Sequence, residues 1–416
     1  MTRVLTLTSL YPPHHLGGAE LSCHDVMSRL IARGHDVAVL CGSTRLPGVV
    51  DAADRGVFRE LETYLRDGDP WSPPLRRRLA IERHNQEVLA EHLQRHRPEV
   101  VSVWHMGAMS LGLLALLGEQ GVPIVYAACD EWPAYETKLD PWARLWWGSR
   151  PRRAAGWVAG ALLSVPTLVG DLGSSGAFLW VSDLTRRRVI ANTTWDYPCS
   201  TIVYSGIDTD VFHARRGTDR GPWAWRILYA GRFDPRKGVE TAVRALAELP
   251  AEATLRLCGL GGNQERERLA ALAGRLGIAE RVSFHELTRD QLADAYGASD
   301  VVVFPSEWEE PFGLVPVEAM ACGAPIIATG TGGSAEFLFE GVNYLRFPPG
   351  DAAALAAAIR RLASDDALRD RLVEAGRTTA AQLDVDRLTD VFEAWHTAAA
   401  DRFVHGRPAD RGQVRL

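Results

Sequence analysis

Short apolar runs alternate with amphipathic helical patterns along almost the whole chain, and this alternation is the feature that most limits the fold. In the first half the apolar runs are VLTLTSL, DVAVLCG, VVSVWH and IVYAACD, and helical patterns lie over about 19–33 and 75–97. Strands and helices in alternation form βαβ units, whose strands lie parallel in one sheet. The first half is therefore predicted to be a doubly wound α/β domain, with a turn-rich, polar stretch over 42–74.

The second half repeats this pattern. WRILYAGRF, ATLRLCGLG, RVSFHEL, DVVVFPS and APIIATG alternate with helical patterns, the last of which starts near Pro316. We predict an N-terminal Rossmann-like domain over 1–205, a C-terminal Rossmann-like domain over 206–384, and a helix and tail over 385–416 that return to the first domain. Ligands of open parallel sheets bind outside the carboxyl ends of the strands, so two facing domains would hold the chemistry in the cleft between them.

The composition excludes several classes of protein. With 46% hydrophobic and 24% charged residues among 416, the chain has the composition of an ordinary globular protein rather than of a disordered chain or a disulfide scaffold. A net charge of −6 argues against nucleic acid as the main ligand, because phosphate backbones require a basic surface. The six cysteines are far apart and the N-terminus carries no cleavage pattern, so we expect a cytoplasmic protein with reduced thiols.

The segment 142–170 has the order of residues that suits an apolar partner. Tryptophans come first, then the basic RPRR, then a run without charge from Ala154 to Gly170. Pro166 interrupts that run, whose length is marginal for a membrane span, so no transmembrane helix is predicted. Two interpretations stay open: a contact of 142–170 with a membrane surface or a hydrophobic acceptor, or a buried helix pair that fills the first domain.

Lysine is scarce, which makes its positions informative. Of the 46 basic residues only Lys138 and Lys237 are lysines, so 44 are arginines. Lys237 lies in AGRFDPRKG, where a strand meets a glycine loop and then a helix, with Arg232 at the other side of the loop. Two cations beside a helix N-terminus can neutralise a diphosphate and stabilise it as a leaving group. The alternative is an ordinary exposed basic loop.

The densest group of candidate residues lies in PSEWEEPFGLVPVEAMACGAPIIATGTGGSAEF, over 305–337. It follows a buried strand, and the pattern puts Glu310 in a loop and Glu318 on the helix that comes next. The backbone N–H groups of Phe312, Gly313 and Leu314 would then crown the helix N-terminus, which attracts anions and oxygen ligands. Carboxylates next to such N–H groups suit a polyhydroxylated ligand. The alternative is that both glutamates are solvated helix charges.

A glycine pair in the first strand-to-helix loop is a weaker signal. Gly17 and Gly18 end LTSLYPPHHLGG, where a missing Cβ permits close approach of a phosphate or sugar. The dinucleotide fingerprint G-x-G-x-x-G does not occur there. The chain also has no G-x-S-x-G and no P-loop, so hydrolase and nucleoside-triphosphatase functions lack their motifs.

Two further features leave their alternatives open. His105 ends the strand VVSVWH, where a ligand contact and a structural hydrogen bond are both common. The triplets Asp208-Thr209-Asp210 and Asp67-Gly68-Asp69 match the D-x-D pattern of metal-binding transferases, but the first lies at a turn and the second in a polar loop. We therefore predict no metal and no cofactor.

Taken together, these motifs resemble the retaining glycosyltransferases of family 4, which have the GT-B fold of two facing Rossmann-like domains with an interdomain cleft. The resemblance covers essentially the whole chain. It is carried by Gly17-Gly18, by VYSGID, by Gly231-Arg232 with Lys237-Gly238, and above all by the E-x7-E motif from Glu310 to Glu318. It implies that the first domain binds the acceptor and the second a nucleotide-diphosphosugar donor.

The resemblance also implies roles for individual residues. Arg232 and Lys237 would bind the diphosphate, Glu310 and the backbone of 312–314 the sugar, and Glu318 the ribose. Gly259 and Leu287 would lie near the nucleotide, and Gly17-Gly18 would also contact the donor.

One position departs from the family pattern. Family members commonly carry a His followed by an acidic or polar residue at the end of the strand that here reads IVYAACD, so Cys129 and Asp130 stand in its place. A thiol donates only a weak hydrogen bond and cannot share positive charge as an imidazole does. Asp130 becomes the first catalytic candidate on the acceptor side, with His105 second.

The hypothesis is a metal-independent retaining glycosyltransferase that acts on an unidentified glycan, lipid or secondary metabolite. Its alternatives are a non-catalytic nucleotide-sugar-binding partner protein, and a sugar phosphorylase or epimerase of the same fold.

Overall fold

The computed structural model describes residues 1–50, 54–66, 69–168, 170–214, 222–259 and 262–405. Their contacts divide the chain into two compact units: unit 1 is Met1–Tyr204 with the chain from Leu388 onward, and unit 2 is Ser205–Arg387. Each unit has a parallel sheet whose strands alternate with helices, so the predicted α/β class with two doubly wound, Rossmann-like halves is confirmed.

Unit 1 begins with nine strands and seven helices among its described residues. The strands are β1 Arg3–Thr8, β2 Asp36–Gly42, β3 Val57–Leu61, β4 Leu65–Arg66, β5 Asp69–Pro70, β6 Val100–Val103, β7 Ile124–Ala128, β8 Ala177–Trp180 and β9 Ser200–Ile202. The helices are α1 Gly18–Ala32, α2 Leu75–His96, α3 Gly112–Gln120, α4 Trp132–Leu139, α5 Ala143–Trp146, α6 Arg150–Leu163 and α7 Asp183–Asn192.

The main sheet of unit 1 has the strand order β3-β2-β1-β6-β7-β8-β9, and its pairs are parallel. Its strands read as apolar runs because a parallel sheet is covered on both faces. Aromatic side chains fill the space beside β7 and β8: the ring of Phe178 stacks on Tyr126 at 4.3 Å and on Trp180 at 5.1 Å between centroids. The order reverses between β1 and β6, which makes their carboxyl ends the topological switch point.

The turn-rich, polar stretch over 42–74 also contains short strands that the sequence analysis does not predict. It contains β3, which pairs in parallel with β2 at the edge of the sheet, and the small antiparallel pair of β4 and β5. The sequence gives no clear signal for β3 because it is an edge strand with the sequence VFREL, in which only Leu61 is fully buried. Of the second D-x-D triplet, Asp67 and Gly68 lie outside the described residues, and Asp69 opens β5.

The segment 142–170 divides into a buried and an exposed part. Trp142 is 1% exposed, and its indole N–H donates to the carbonyl of Pro166 at 2.7 Å. Along α6, however, Trp157 is 73% exposed and Leu162 is 78% exposed. The buried helix pair is therefore wrong for α6. In the part of the chain that the structure describes, no helix combines the length and the apolar character that crossing a membrane requires.

Unit 2 has its own parallel sheet of six strands, in the order β12-β11-β10-β13-β14-β15. The strands are β10 Arg226–Ala230, β11 Thr254–Cys258, β12 Val282–His285, β13 Val301–Phe304, β14 Ile326–Ala328 and β15 Leu345–Arg346. The helices are α8 Val239–Ala247, α9 Asn263–Arg275, α10 Arg289–Ala298, α11 Leu314–Ala321, α12 Ala352–Ser364 and α13 Asp366–Gln382. The switch point lies between β10 and β13.

Helix α11 starts two residues before the predicted Pro316. Gly313 precedes it with φ of 92°, a backbone conformation that favours glycine, and proline is tolerated in the first turn because its missing N–H has no partner in the helix there. Gly323, with φ of 77°, follows the C-terminal end as predicted. Glu318 consequently lies in the second turn of α11.

The last helix, α14 Val385–His405, starts in unit 2 and continues into unit 1. There Phe392 stacks on Trp104 at 4.7 Å between ring centroids, and the Nε2 atom of His396 lies 3.0 Å from the hydroxyl of Ser102. Trp104 and Ser102 are both about fully buried. Unit 1 therefore completes part of its core with residues from the far end of the chain.

Candidate functional site

In unit 2, the predicted site residues gather at the switch point of the sheet. β10 runs into Gly231 and Arg232, and β13 runs into the loop that carries Glu310. Parallel neighbours end at the same edge of the sheet, so these two loops meet outside the carboxyl ends of β10 and β13.

An ion pair joins the two loops. The Nζ atom of Lys237 lies 2.8 Å from Oε2 of Glu310, with side chains 17% and 9% exposed. The second oxygen, Oε1 of Glu310, is buried and has no hydrogen-bond partner among the described residues. The pair is therefore a partly desolvated cation and carboxylate with one acceptor atom still available for a ligand hydroxyl.

Local backbone structure holds Lys237 in place. The residues Pro235–Lys237 form a single 3₁₀ turn, whose first N–H group, that of Arg236, donates to the Asp234 carboxylate at 2.9 Å. Gly238 follows with φ of 66°, and a Cβ there would lie only 1.9 Å from the carbonyl oxygen of Pro305. A glycine is required at this position because the loop after β13 passes directly against it.

A small pocket surrounds the ion pair. Its lining residues come from the ends of β10 and β13 and from the start of α11: Tyr229, Ala230, Gly231, Lys237, Phe304, Glu310, Gly313, Leu314 and Val315. The N-terminus of α11 thus opens on the same pocket, where its first N–H groups add positive potential. Phe312 is 4% exposed and packs against Phe337 at 4.8 Å, so its side chain is part of the core.

The loop after β14 supports Glu310, and the sequence analysis assigned it no role. The N–H of Gly333 donates to the carbonyl of Glu310 at 2.7 Å. Gly332 has φ of 71°, and a Cβ on it would lie 2.4 Å from the backbone nitrogen of Glu310. The sequence feature that could have indicated this role is the cluster of glycines in ATGTGGS, directly after a buried strand.

The other predicted donor residues lie around this edge. Arg232 is exposed, and its carbonyl accepts from the hydroxyl of Tyr229 at 2.7 Å. Gly259, with φ of 158°, follows β11, and a Cβ there would lie 1.9 Å from the carbonyl oxygen of Gly231. Leu287 is half-buried and precedes Thr288, which caps α10.

Glu318 has a partner on the neighbouring helix. The hydroxyl of Tyr296, in α10, donates to Oε2 of Glu318 at 2.9 Å. Burial and the adjacent Glu318 carboxylate raise the pKa of Tyr296 well above its usual value, so the phenol remains a hydrogen-bond donor. Glu318 is half-buried.

In unit 1, a second cluster lies at the corresponding switch point. His105 follows β6 and Ser9 follows β1, and the Nδ1 atom of His105 lies 2.8 Å from the Ser9 hydroxyl. The Nε2 atom of His105 lies 3.4 Å from Oδ2 of Asp130, which follows β7. Asp130 also accepts from the hydroxyl of Tyr135 at 2.7 Å and from the N–H of Trp132 at 3.0 Å.

These contacts fix the charge of both groups. Burial opposes a charge on His105, but the Asp130 carboxylate outweighs burial and raises the pKa of His105 to about 9. Burial works against a charge on Asp130 too, yet His105 and the other donors hold the pKa of Asp130 below its usual range. At neutral pH the cluster is an imidazolium paired with a carboxylate, with the side chains 22% and 26% exposed.

Cys129 lies beside this pair. Burial, with the nearby Asp130 as a second cause, raises the pKa of the Cys129 thiol well above its usual value. The group is therefore a neutral thiol rather than a nucleophilic thiolate. The structure places a charged imidazole, that of His105, one strand away from the position at which the resemblance calls for a histidine.

The remaining predicted residues make none of the contacts described for the two clusters, and some of them stabilise turns. Gly17 and Gly18 are exposed where α1 begins, and Gly17 is extended. The Asp208 carboxylate accepts from the N–H of Asp210 at 3.1 Å, which closes a turn, while the Thr209 hydroxyl donates to Asp384. Within the described ranges, no group of three or more His, Cys, Asp or Glu side chains is arranged to hold a metal ion.

Two family models match the chain, one in each half. The model described as Glycosyltransferase Family 4 matches residues 16–211, and the one described as Glycosyl transferases group 1 matches residues 216–379. Together they include Lys237 and Glu310 of unit 2 and His105, Cys129 and Asp130 of unit 1.

Curated proteins that resemble this chain are also enzymes that transfer or polymerise sugars. A D-inositol 3-phosphate glycosyltransferase of Xylanimonas cellulosilytica is 39% identical over 38% of this chain and 39% of its own length. A glycogen synthase of Mycobacterium tuberculosis is 27% identical over 95% of this chain and 92% of its own length. The chain thus spans about two fifths of the first of these relatives and nearly all of the second.

Solved structures share the fold over almost the full length. The Anabaena protein HepE, in complex with UDP and glucose, has a TM-score of 0.67 at 21% identity and covers 95% of this chain and 99% of its own. A sucrose-phosphate synthase of Thermosynechococcus elongatus has a TM-score of 0.71 at 22% identity and covers 96% of this chain and 100% of its own. The two-unit α/β architecture is therefore the GT-B fold.

Proposed function

We propose that this chain, which belongs to the GT-B glycosyltransferases of family 4 and group 1, transfers a sugar from a nucleotide-diphosphosugar to an acceptor hydroxyl with retention of the anomeric configuration. The observation that carries the proposal is the partly buried pair of Lys237 and Glu310 at the switch point of unit 2. Solved relatives of the fold bind UDP and UDP-glucose, which supports a nucleotide-sugar as the donor.

Unit 2 binds the donor in this proposal. The Lys237 ammonium and the Arg232 guanidinium contact the diphosphate, and the N–H groups at the start of α11 contact oxygens of the donor. The available Oε1 of Glu310 accepts a hydrogen bond from a sugar hydroxyl, and Glu318 accepts from the ribose. Gly259 and Leu287 lie near the nucleotide.

The difficult step is departure of the diphosphate. The bond between the anomeric carbon and the diphosphate oxygen breaks, the acceptor oxygen bonds to the same face of the sugar, and the acceptor proton passes to the departing phosphate. The Lys237 ammonium and the Arg232 guanidinium stabilise the charge that develops on the phosphate. Because these cations occupy the place that a divalent ion would otherwise take, we propose a reaction that needs no metal.

Unit 1 provides the acceptor side. Asp130 and the imidazolium of His105 orient the acceptor or the reacting sugar, with the neutral Cys129 at their side. The charged imidazole of His105, after β6, offers the hydrogen bond and the charge that Cys129 cannot, which favours an active enzyme over a non-catalytic binding partner. The dispersed free cysteines support a cytoplasmic location.

A thermal-shift screen with UDP-glucose, ADP-glucose and GDP-mannose tests donor binding, because a ligand that binds only the folded state raises the melting temperature. The donor that binds is then incubated with candidate acceptor pools, with and without EDTA. We expect nucleoside diphosphate to be released only when an acceptor is present, equally with and without EDTA, and an axial donor linkage to stay axial by NMR.

Other results separate the alternatives. Donor binding without turnover in any pool would favour a binding partner. Release of sugar phosphate from a product glycan would favour a phosphorylase, and conversion of the donor sugar to its epimer would favour an epimerase. Complete loss of activity in EDTA that magnesium restores would contradict the metal-free reaction.

A further inference from the structure

Helix α6 presents an apolar stripe to the solvent instead of to the core. The stripe consists of residues spaced at i, i+3, i+4, i+7 and i+8, which lie along one side of a helix: Ala154, Trp157, Val158, Ala161 and Leu162. Trp157 is 73% exposed, Val158 50% and Leu162 78%. Apolar residues at this spacing normally face the core, so their exposure here requires a reason.

Packing on the opposite side fixes this orientation. Gly156 is the buried residue of α6, and a Cβ on it would lie 2.9 Å from Cβ of Trp146. The hydroxyl of Thr167 donates to the Gly156 carbonyl at 2.6 Å. A Cβ on Gly160 would lie 3.0 Å from the Thr167 hydroxyl. The two glycines therefore bring α6 close to the rest of unit 1, and Trp157 cannot turn inward without breaking this contact.

The surroundings of the stripe are basic. Arg150, Arg152 and Arg153 are exposed in the first turn of α6. Between Asp140 and Asp171 the sequence has no acidic residue and four arginines, although the whole chain has a net charge of −6. At the other end of α6, the guanidinium of Arg83 donates to the carbonyl of Leu163 at 3.3 Å. Positive charge thus flanks the apolar stripe at both ends.

We propose that α6 docks flat on an anionic membrane surface, with the stripe in the acyl boundary and the arginines at the headgroup phosphates. An apolar helix face flanked by arginines is the arrangement that binds such a surface, since burial of apolar area and attraction to anionic lipid add together. A second copy of this chain is a poorer occupant. A helix of 14 residues is only about 21 Å long, and one stripe on it offers far less than the roughly 800 Å² per partner of a stable interface.

Co-sedimentation of the full chain with vesicles tests the proposal without any substrate, so its outcome does not depend on the transferase reaction. The probes are vesicles of phosphatidylglycerol mixed with phosphatidylcholine, and vesicles of phosphatidylcholine alone. We expect binding to the anionic vesicles that weakens as salt is raised, and much weaker binding to the neutral vesicles. Each of R150Q, R152Q and R153Q should weaken anionic binding by about fivefold, and W157S/L162S by at least about tenfold.

A matched control replaces two exposed isoleucines on other helices of unit 1, Ile31 in α1 and Ile190 in α7, which are 49% and 43% exposed. I31S/I190S should bind as the unchanged protein does, and circular dichroism should show all variants folded. The proposal is overturned if the folded protein stays in the supernatant with anionic vesicles, or if the control loses binding as W157S/L162S does. It is also overturned if light scattering shows a dimer in free solution that W157S/L162S dissociates, since the stripe would then bind a second copy.

Discussion

The two switch points of the molecule hold the same kind of group, a cation paired with a carboxylate, but they obtain the positive charge in different ways. In unit 2 the cation is the ammonium of Lys237, and its partner Glu310 lies in a pocket lined by the ends of β10 and β13 and the start of α11. In unit 1 the cation is the imidazole of His105, whose charge at neutral pH depends on Asp130. The charge of Lys237 is that of any lysine at neutral pH, whereas the charge of His105 at neutral pH requires its partner Asp130.

This difference fits the two tasks that we propose. A diphosphate carries its negative charge throughout the reaction, so a permanent cation serves it best. On the acceptor side the charged imidazolium of His105 orients the reacting groups, and an imidazole is the side chain whose charge changes with pH in the physiological range. Variants of the two pairs should therefore fail in different ways: loss of rate in unit 2, and a changed pH dependence in unit 1.

The largest effect is expected for Lys237→Ala. Removing a preorganised cation from the leaving group should lower kcat by about 30- to 1000-fold, or roughly 2 to 4 kcal/mol. The control is Arg236→Ala, which removes the neighbouring cation, 56% exposed and paired with Asp234. Steady-state kinetics that show equal losses for both variants would mean that the loop charge as a whole, and not Lys237, acts on the donor.

Asp130→Asn should have the next largest effect, a loss of about 100-fold in kcat/KM at pH 8. The amide cannot stabilise the imidazolium, so His105 becomes neutral above its ordinary pKa. The pH profile should accordingly shift: activity that persists to about pH 9 in the unchanged protein should decline from nearer pH 6.5 in the variant. Glu131→Gln, which changes the adjacent carboxylate that pairs with Arg188, is the control and should keep the original profile.

The pair of His105 and Asp130 should also affect how the free energy of unfolding depends on pH. Because the folded state raises the pKa of His105 to about 9, its contribution is fully present below the unfolded pKa of about 6.5 and is lost as pH rises through 9. Between pH 7 and 10 the unchanged protein should lose on the order of 2 kcal/mol more free energy of unfolding than His105→Gln does. Urea denaturation at both pH values measures the difference, and parallel losses in the two proteins would contradict the pairing.

The smallest effect is expected for Cys129→Ala. A neutral thiol makes only weak hydrogen bonds, so kcat/KM should stay within about twofold of the unchanged protein. Cys199→Ala serves as the matched control. If Cys129→Ala abolishes turnover while titration calorimetry shows unchanged donor affinity, the thiol is essential and His105 does not replace the family histidine.

The sequence predicts what depends on local patterns. The strands of both sheets and the loops that carry Lys237 and Glu310 follow from apolar runs and turn residues. It does not predict side-chain partners, because these come from loops far apart in the chain. His105 pairs with Asp130, which lies 25 positions later, and the backbone of Glu310 packs against Gly332. Nor does the sequence show that Trp142 is buried and Trp157 exposed, because both tryptophans lie in similar apolar stretches of the chain. Local pattern likewise misses β3, an edge strand with few apolar residues.

The course of helix α14 has a consequence for biosynthesis. Residues before Tyr204 leave the ribosome first, yet the stacking of Trp104 on Phe392 and the hydrogen bond between Ser102 and His396 can form only when the last helix has been made. At 5 to 20 residues per second, translation of the intervening 200 or so residues takes roughly 10 to 40 s. Unit 2 is continuous in sequence and has all its residues before then. The half of the protein that is synthesised first is thus the half whose core is completed last.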